Sequence, residues 1–146
     1  MSDEPLAVPG PGKEPDPNKL SFLKFKREHD KEIAEVQGFL SLELSDNPVQ
    51  LEADGRLAES WYGRMTTLKA WARSFLVVAR RDRLPVKSKE VAELDRKTEL
   101  DASCFEEQRL VDVIDGLVDS LSCRISFCQS VMKANAAEAR RSGMAT

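Results

Sequence analysis

An apolar stripe that repeats every three or four residues runs without a slip from Leu51 to Ala79. Only one of its nine positions, Asp54, is polar: Leu51, Asp54, Ala58, Trp61, Met65, Leu68, Ala72, Phe75 and Ala79. An alternation of three and four keeps side chains on one face of an α-helix, as in coiled coils. The spacing therefore predicts a long helix over about residues 49–81 whose apolar face packs on other helices. Gly63 costs about 1 kcal/mol inside such a helix, and we expect it to permit a close helix crossing.

Two further apolar stripes predict a helix on either side of this one. The first helix covers about residues 19–43 and places on one face Phe22, Phe25, His29, Ile33, Val36 and Leu40. The third covers about residues 88–139, follows a plausible N-cap at Ser88, and presents Cys104, Glu107, Val111, Ile114, Val118, Leu121, Ile125, Cys128 and Met132. Residues 45–48 and 84–86 separate the helices, because proline removes a backbone donor and restricts the residue before it.

Three long helices with short breaks predict an all-α fold, either an antiparallel helical hairpin or a three-helix bundle with coiled-coil-like helices. We expect the helical domain to cover residues 19–139. Residues 1–18 hold five of the seven prolines and predict a disordered leader, because such a segment buries too little apolar area to offset its ordering entropy. Residues 140–146 are predicted to be a frayed end.

Several functional classes are disfavoured by what the sequence lacks. No run of 18 apolar residues is present, so we expect no transmembrane helix. The first residues show no secretory signal, and three cysteines make a disulfide framework improbable, so the expected location is the cytoplasm, or the host cytoplasm if the chain is phage-encoded. His29 is the only histidine and is interpreted as structural, and Cys104 and Cys128 as core residues. We find no catalytic motif, metal-ligand spacing or cofactor site, which predicts a protein that is not an enzyme.

Charge is distributed unevenly, although the net charge is only −3. Residues 56–89 carry nine cations and two acids, a net charge of +7, whereas residues 90–119 carry ten acids and three cations, a net charge of −7. If the second and third helices lie side by side, these charges neutralise each other and no ligand is needed. If the cations point away, they form a stripe that binds phosphates with a strong salt dependence. The candidate nucleic-acid-binding residues are Arg64, Lys69, Arg73, Arg80, Arg81 and Arg83.

The third predicted helix is longer than one bundle covers. An apolar stripe exposed beyond its partner is costly in water, so the chain is predicted to form a homo-oligomer. The candidate oligomerisation residues lie along that stripe: Val111, Ile114, Val118, Leu121, Ile125 and Met132.

Two segments carry a resemblance to a known family. Residues 68–73 (Leu-Lys-Ala-Trp-Ala-Arg) form a short basic helical stretch, and residues 113–121 (Val-Ile-Asp-Gly-Leu-Val-Asp-Ser-Leu) precede Arg124 and a final apolar run. Over roughly residues 49–133 this layout resembles the UvsY-type phage recombination mediators. Those are small helical oligomers that bind single-stranded DNA and help to load a recombinase onto strands coated by single-strand-binding protein. The resemblance implies that Lys69 and Arg73 contact the DNA backbone and that the third helix drives assembly.

Two functions are therefore expected from the sequence. The first is a non-enzymatic, oligomeric accessory protein of recombination that binds single-stranded DNA, with a recombinase and single-strand-binding protein as partners and no membrane association. The alternative is a structural or scaffold coiled-coil protein, such as a phage virion component, in which all the charges are engaged between helices. The number of cations that lack a carboxylate partner in the folded protein distinguishes the two.

Overall fold

A computed structural model describes residues 17–84 and 93–143 of the 146-residue chain. These residues form four α-helices: α1 (Pro17–Ser41), α2 (Pro48–Asp82), α3 (Glu93–Ser103) and α4 (Phe105–Arg141). The described residues include no strand, which confirms the predicted all-α class. None of these four helices combines the length and the apolar character that a membrane span requires.

The break before α2 is formed by the residues predicted to form it. Asn47 caps the helix, since its side-chain oxygen accepts a hydrogen bond from the backbone N–H of Val49 at 2.9 Å. Pro48 occupies the first turn, where the missing N–H needs no partner. The preceding helix, α1, begins at Pro17, inside the predicted leader. Residues 1–16 of that leader lie outside the described residues.

The third predicted helix is divided at Cys104, so the expectation of one continuous helix is wrong. Cys104 has φ −105° and ψ 14°, and its side chain is buried. The backbone N–H of Cys104 still donates to Leu100 O at 3.0 Å, and Gln108 N–H donates to Cys104 O at 2.9 Å. The regular helix is therefore interrupted at Cys104, although both backbone groups of this residue keep i to i−4 hydrogen bonds, and an apolar repeat that continues through Cys104 does not reveal the interruption. The predicted N-cap at Ser88 lies outside the described residues.

Helices α2 and α4 pack antiparallel and make the most extensive contact of any helix pair. Gly55, near the start of α2, lies against Cys128 in the C-terminal half of α4, where a methyl group on Gly55 would be 3.4 Å from Cys128 Cβ. Lys69, in the middle of α2, pairs with Asp115 in the N-terminal half of α4. The close crossing therefore occurs at Gly55. Gly63, for which it was predicted, faces open space.

Helix α1 completes a three-helix bundle, antiparallel to α2 and parallel to α4. Near the start of α1, the ring of Phe22 lies 5.8 Å from that of Phe75, which is near the end of α2. Near the end of α1, the Phe39 ring lies 4.7 Å from the guanidinium of Arg124 in the second half of α4. The predicted three-helix arrangement is thus present.

The core lies between the apolar faces of these three helices. From α2 it takes six positions of the predicted stripe: Leu51, Ala58, Met65, Leu68, Ala72 and Ala79. From α4 it takes Leu110, Val111, Ile114, Leu117, Val118, Leu121 and Cys128, and from α1 Phe22, Phe25, Ile33, Val36 and Phe39. Burying this surface is the main favourable term in folding, at roughly 25 cal/mol for each Å² of apolar area. Leu100 and Cys104 form a small second cluster with Ala79 that holds α3 in place.

The three bundle helices differ in length: α1 has 25 residues, α2 has 35 and α4 has 37. The end of α1 is level with Arg124, which donates one hydrogen bond to the carbonyl of Leu42 and one to the carboxylate of Asp54, both at 3.0 Å. Residues 48–53 of α2 and 125–141 of α4 continue past this level as an antiparallel pair of unequal length, which we call the overhang. At 1.5 Å per residue, the α4 part of the overhang is about 26 Å long.

Candidate nucleic-acid interface

The candidate phosphate-binding cations lie on different sides of α2. Because an α-helix has 3.6 residues per turn, positions four and seven apart share a side. Lys69, Arg73 and Arg80 have that spacing and lie on the side of α2 that borders α4 and α3. Arg64 lies on the other side, next to α1, and Arg81 points outward. The helix therefore does not present its cations as one continuous stripe.

Arg64 forms a two-pronged ion pair with Glu32 of α1. Its Nε and Nη2 atoms lie 2.7 and 2.8 Å from the two carboxylate oxygens, the geometry in which arginine binds carboxylates most strongly. The hydrogen bond from Arg64 holds the pKa of Glu32 below its usual value, and the charges of Arg64 and His29 act in the same direction. His29 Nδ1 lies 3.6 Å from the same carboxylate, and the imidazole packs on the Phe25 ring at 4.7 Å. His29 thus belongs to a structural contact between α1 and α2.

Lys69 reaches across to α4 and pairs with Asp115. The hydrogen bond from Lys69 lowers the pKa of Asp115, with smaller contributions from the charges of Lys69 and Arg73. Arg73 itself is exposed and forms no ion pair with any residue in the described ranges. Of the two residues that the family resemblance assigns to the DNA backbone, one is therefore engaged with a carboxylate and the other is accessible.

Near the end of α2, Arg80 and Arg81 each meet an exposed carboxylate. Arg80 Nη1 lies 3.1 Å from Asp101 of α3, and Arg81 Nε lies 3.1 Å from the neighbouring Asp82. Ion pairs of this kind contribute about 0–1 kcal/mol, because water screens both partners. They orient the two arginines but do not hold them strongly.

Arg83 takes part in a more deeply buried cluster around Glu107. The Glu107 side chain is 1% exposed, and its carboxylate lies 2.7 Å from Arg83 Nη2 and 3.3 Å from Lys19 Nζ. Arg83 also donates to the backbone carbonyl of Ser103 at 2.8 Å. Burial alone raises the pKa of Glu107, but the Arg83 hydrogen bond, a backbone hydrogen bond and the two cationic charges outweigh burial, so the pKa lies below its usual value. This cluster joins the start of α1, the end of α2 and the start of α4.

A second buried charge, Arg124, ties the opposite end of the bundle together. Its side chain is 8% exposed and makes the hydrogen bonds to Asp54 and to the Leu42 carbonyl described above, while the guanidinium lies over the Phe39 ring. An arginine over an aromatic face gains a cation–π attraction in addition to its hydrogen bonds. The cluster fixes the end of α1 against α2 and α4.

Sequence reasoning did not identify either cluster as a site, although the signal was present. Asp54 and Glu107 are the polar residues at positions of the two apolar stripes where the repeat calls for an apolar side chain. A carboxylate at such a position needs a cation beside it, because burying an unpaired charge costs several kcal/mol. The repeat alone, however, does not tell which of 22 cations is that partner.

Trp71 and the two buried cysteines mainly contribute to packing. Trp71 is half-exposed, with one edge against Phe25 at 6.0 Å between ring centroids. Cys104 and Cys128 are buried as predicted, and burial, followed by the charge of Asp54, raises the pKa of Cys128. Within residues 17–84 and 93–143, no three potential metal ligands are grouped closely enough to hold an ion.

The candidate oligomerisation residues divide into two groups. Four of them are buried inside a single chain and contribute to its core: Val111, Ile114, Val118 and Leu121. Contact of these side chains with a second copy would require the bundle to open. Ile125 is half-buried and Met132 is exposed, and both lie in the overhang. Only this end of the predicted stripe is accessible in the folded chain.

Comparison of the chain with protein-family models, with curated proteins and with solved structures found no match of any of the three kinds.

Proposed function

We propose that this protein is a non-enzymatic helical scaffold that acts through protein–protein packing and has no nucleic-acid ligand. The supporting observation is that five of the six candidate phosphate-binding cations already face a carboxylate: Arg64, Lys69, Arg80, Arg81 and Arg83. A phosphate strand would have to displace those carboxylates one by one. Displacement at Arg83 is the most costly, because it would leave Glu107 buried with less of its compensating charge.

The outward face of α2 supports the same conclusion. Between Arg64 and Arg81 this face consists mainly of small or weakly polar side chains, all exposed: Thr66, Thr67, Ala70, Ser74 and Val77. Arg73 lies at its border. Non-specific binding of nucleic acid depends on several cations that track the phosphate backbone together. In the part of α2 that the structure describes, the cations free to do so are too few.

A salt titration tests the proposal quantitatively. The logarithm of the binding constant falls linearly as the logarithm of the salt concentration rises, and the steepness counts the phosphates that are neutralised. Six cations on a single strand would give a slope of magnitude about 4, whereas Arg73 alone would give about 0.7. We expect a labelled single-stranded oligonucleotide to show no saturable change in fluorescence anisotropy at moderate salt. We also expect the protein mass measured by light scattering to be unaffected by the oligonucleotide.

The control compares two double variants with the same change in net charge. One is Lys69→Glu with Arg73→Glu on α2, and the other is Lys24→Glu with Lys31→Glu, which lie exposed on α1. Circular dichroism establishes that both remain folded. Tight, strongly salt-dependent binding that the α2 variant loses and the control variant retains would refute the scaffold proposal.

The second candidate is the single-stranded-DNA-binding accessory protein of recombination. Two observations favour it: Arg73 is exposed without an ion pair in the described residues, and Trp71 offers part of its ring for stacking on a base. Its expected partners are a recombinase and single-strand-binding protein, as the likeness to UvsY-type mediators implies. This candidate predicts the result that would refute the scaffold proposal, namely tight, strongly salt-dependent binding of the oligonucleotide that the α2 variant loses and the control variant retains.

A further inference from the structure

We propose that the overhang is the binding site for a second copy of this chain, and that two overhangs pack as an antiparallel four-helix bundle around a twofold axis. The inference rests on the proposed scaffold function and specifies its partner and its surface. Three properties of the overhang support it: an apolar side that α1 leaves uncovered, a length that matches its own twofold copy, and charges of opposite sign at its two ends.

The uncovered side lies where α1 would continue if it were longer. Leu42, just after α1, is 62% exposed, and Leu57 of α2 is about half-exposed beside it, in a cleft of about 320 Å³ between α2 and the loop that precedes it. Phe127 is 53% exposed and lies one turn beyond Arg124, on the side of α4 from which Arg124 reaches the loop. Val131 continues that side and is half-buried. A helix placed along this side would shield Phe127 and Val131 from water and would end beside Leu42 and Leu57, at the level of Arg124.

The α4 part of the overhang fits against itself in the antiparallel direction. A twofold axis level with Lys133 places residue 125 of one copy level with residue 141 of the other. Phe127 then lies level with the last turns of the partner's α4, where alanines at 134, 136, 137 and 139 leave room for a large side chain. The two α4 segments then overlap over about 26 Å of helix, and the six overhang residues of each α2, about 9 Å of helix, flank them. Antiparallel packing of four helices around such a core is a standard bundle geometry.

The same arrangement brings opposite charges together. The last turn of α4 carries Arg140 and Arg141, which form no ion pair with another described residue. The twofold axis places them level with the partner's α1–α2 loop, which carries Glu43 and Asp46, also without an ion pair in the described ranges. That loop follows the negative end of α1, where Arg124 of α4 already donates to the Leu42 carbonyl. A second copy thus supplies cations for Glu43 and Asp46, the two acids of the loop that have no ion pair in the described ranges.

Sedimentation equilibrium and light scattering of the full chain test the apolar contact. We expect the wild type to be a dimer, and Phe127→Lys to raise the dimer dissociation constant at least about tenfold, because it replaces an apolar side chain that the partner covers with a cation close to the partner's Arg140 and Arg141. The matched control is Val77→Lys. Val77 is 65% exposed on the outward face of α2, far from the overhang, and its substitution should leave the constant unchanged. Circular dichroism and the urea midpoint verify that both variants fold.

Exchange of charges tests whether the occupant is a second copy of this chain. Arg140→Glu with Arg141→Glu places acids against the acidic loop, and Glu43→Arg with Asp46→Arg places cations against the basic helix end, so each double variant alone should dissociate. An equimolar mixture restores opposite charges at both ends of a heterodimer. We therefore expect the mixture to dimerise with a dissociation constant at least about tenfold lower than that of either variant alone.

A wild type that remains monomeric at high concentration, or a dimer that Phe127→Lys leaves intact, overturns the inference. A dimer that forms but shows no rescue in the mixture overturns the twofold arrangement. These outcomes are distinct from failure of the scaffold function. A monomer that ignores the oligonucleotide leaves the scaffold proposal standing with another partner, whereas a dimer that binds the oligonucleotide through α2 removes the scaffold proposal but keeps the dimer.

Discussion

Individual buried charges determine how the ends of this bundle are held. Glu107 and Arg124 lie at opposite ends of the three-helix region, and each contacts groups from α1, α2 and α4 or their connecting loop. A buried charge is destabilising unless its partners are close and well oriented. The two clusters therefore favour one register of the helices, because a shift of one turn would leave a charge in the core without its partner.

Substitution of Glu107 tests this at the residue scale. Glu107→Gln keeps the size of the side chain but removes the buried carboxylate beside Arg83 and leaves Lys19 with the exposed Glu106, so we expect the free energy of unfolding at pH 7 to fall by about 2–4 kcal/mol. Urea denaturation measures the change. The control is Glu106→Gln, which removes an exposed carboxylate 3.0 Å from Lys19 and should cost at most about 1 kcal/mol. Equal losses in the two variants would show that burial of Glu107 has no special role.

At the scale of the element, α2 shows how one helix presents different sides. Its apolar stripe enters the core, most of its candidate cations lie towards α1, α3 and α4, and its outward face is nearly neutral up to Arg81. The apolar stripe was predicted correctly because it repeats with the period of the helix. The cations do not share that period, so the side on which each one lies depends on the rotation that the apolar stripe imposes on the whole helix.

The two glycines of α2 give a prediction for this element. Gly63 faces open space, so Gly63→Ala should raise the free energy of unfolding by about 0.5–1 kcal/mol through better helix propensity. Gly55 faces Cys128 at a distance that only just admits a methyl group, so Gly55→Val should lower it by about 1–3 kcal/mol through overpacking. Thermal and urea denaturation report both changes. Destabilisation by Gly63→Ala would indicate that this glycine is covered in solution, for example by a partner.

For the whole molecule, the ion pairs between helices predict how stability depends on pH. Glu32, Glu107 and Asp115 each form an ion pair between two helices. The pKa lies below the usual 4.5 for Glu32 and Glu107, and below the usual 3.8 for Asp115. In the unfolded chain these groups bind protons more readily than in the native state. Their stabilising contribution is therefore complete well above pH 4.5 and is lost as the pH falls through the lowered pKa values.

We accordingly expect acid to weaken the bundle. The urea midpoint should be nearly constant between pH 7 and pH 6, should decrease as the pH approaches 4.5, and should continue to decrease below 3.8. In Glu107→Gln the decrease should be smaller, because one of the three responsible carboxyls is absent. A wild-type midpoint that stays constant from pH 7 to pH 3 would contradict the contribution assigned to these ion pairs.

The sequence by itself determined the all-α class, the ends of α1 and α2 to within two residues, and the apolar faces that form the core. These properties follow from local periodicity and from short-range signals such as Asn47 and Pro48, which act through a few neighbouring residues. The interruption at Cys104 was not predictable in this way, because the apolar repeat continues through it.

Only the tertiary structure decided which cation meets which carboxylate. The partners Arg64 and Glu32 are 32 residues apart, and Arg124 and Asp54 are 70 apart. Their contact depends on the register and rotation of packed helices, which neither charge counts nor helical periodicity specify. The sequence could therefore establish that the basic and acidic segments nearly balance, but whether the cations point towards helices or towards solvent is a property of the folded bundle.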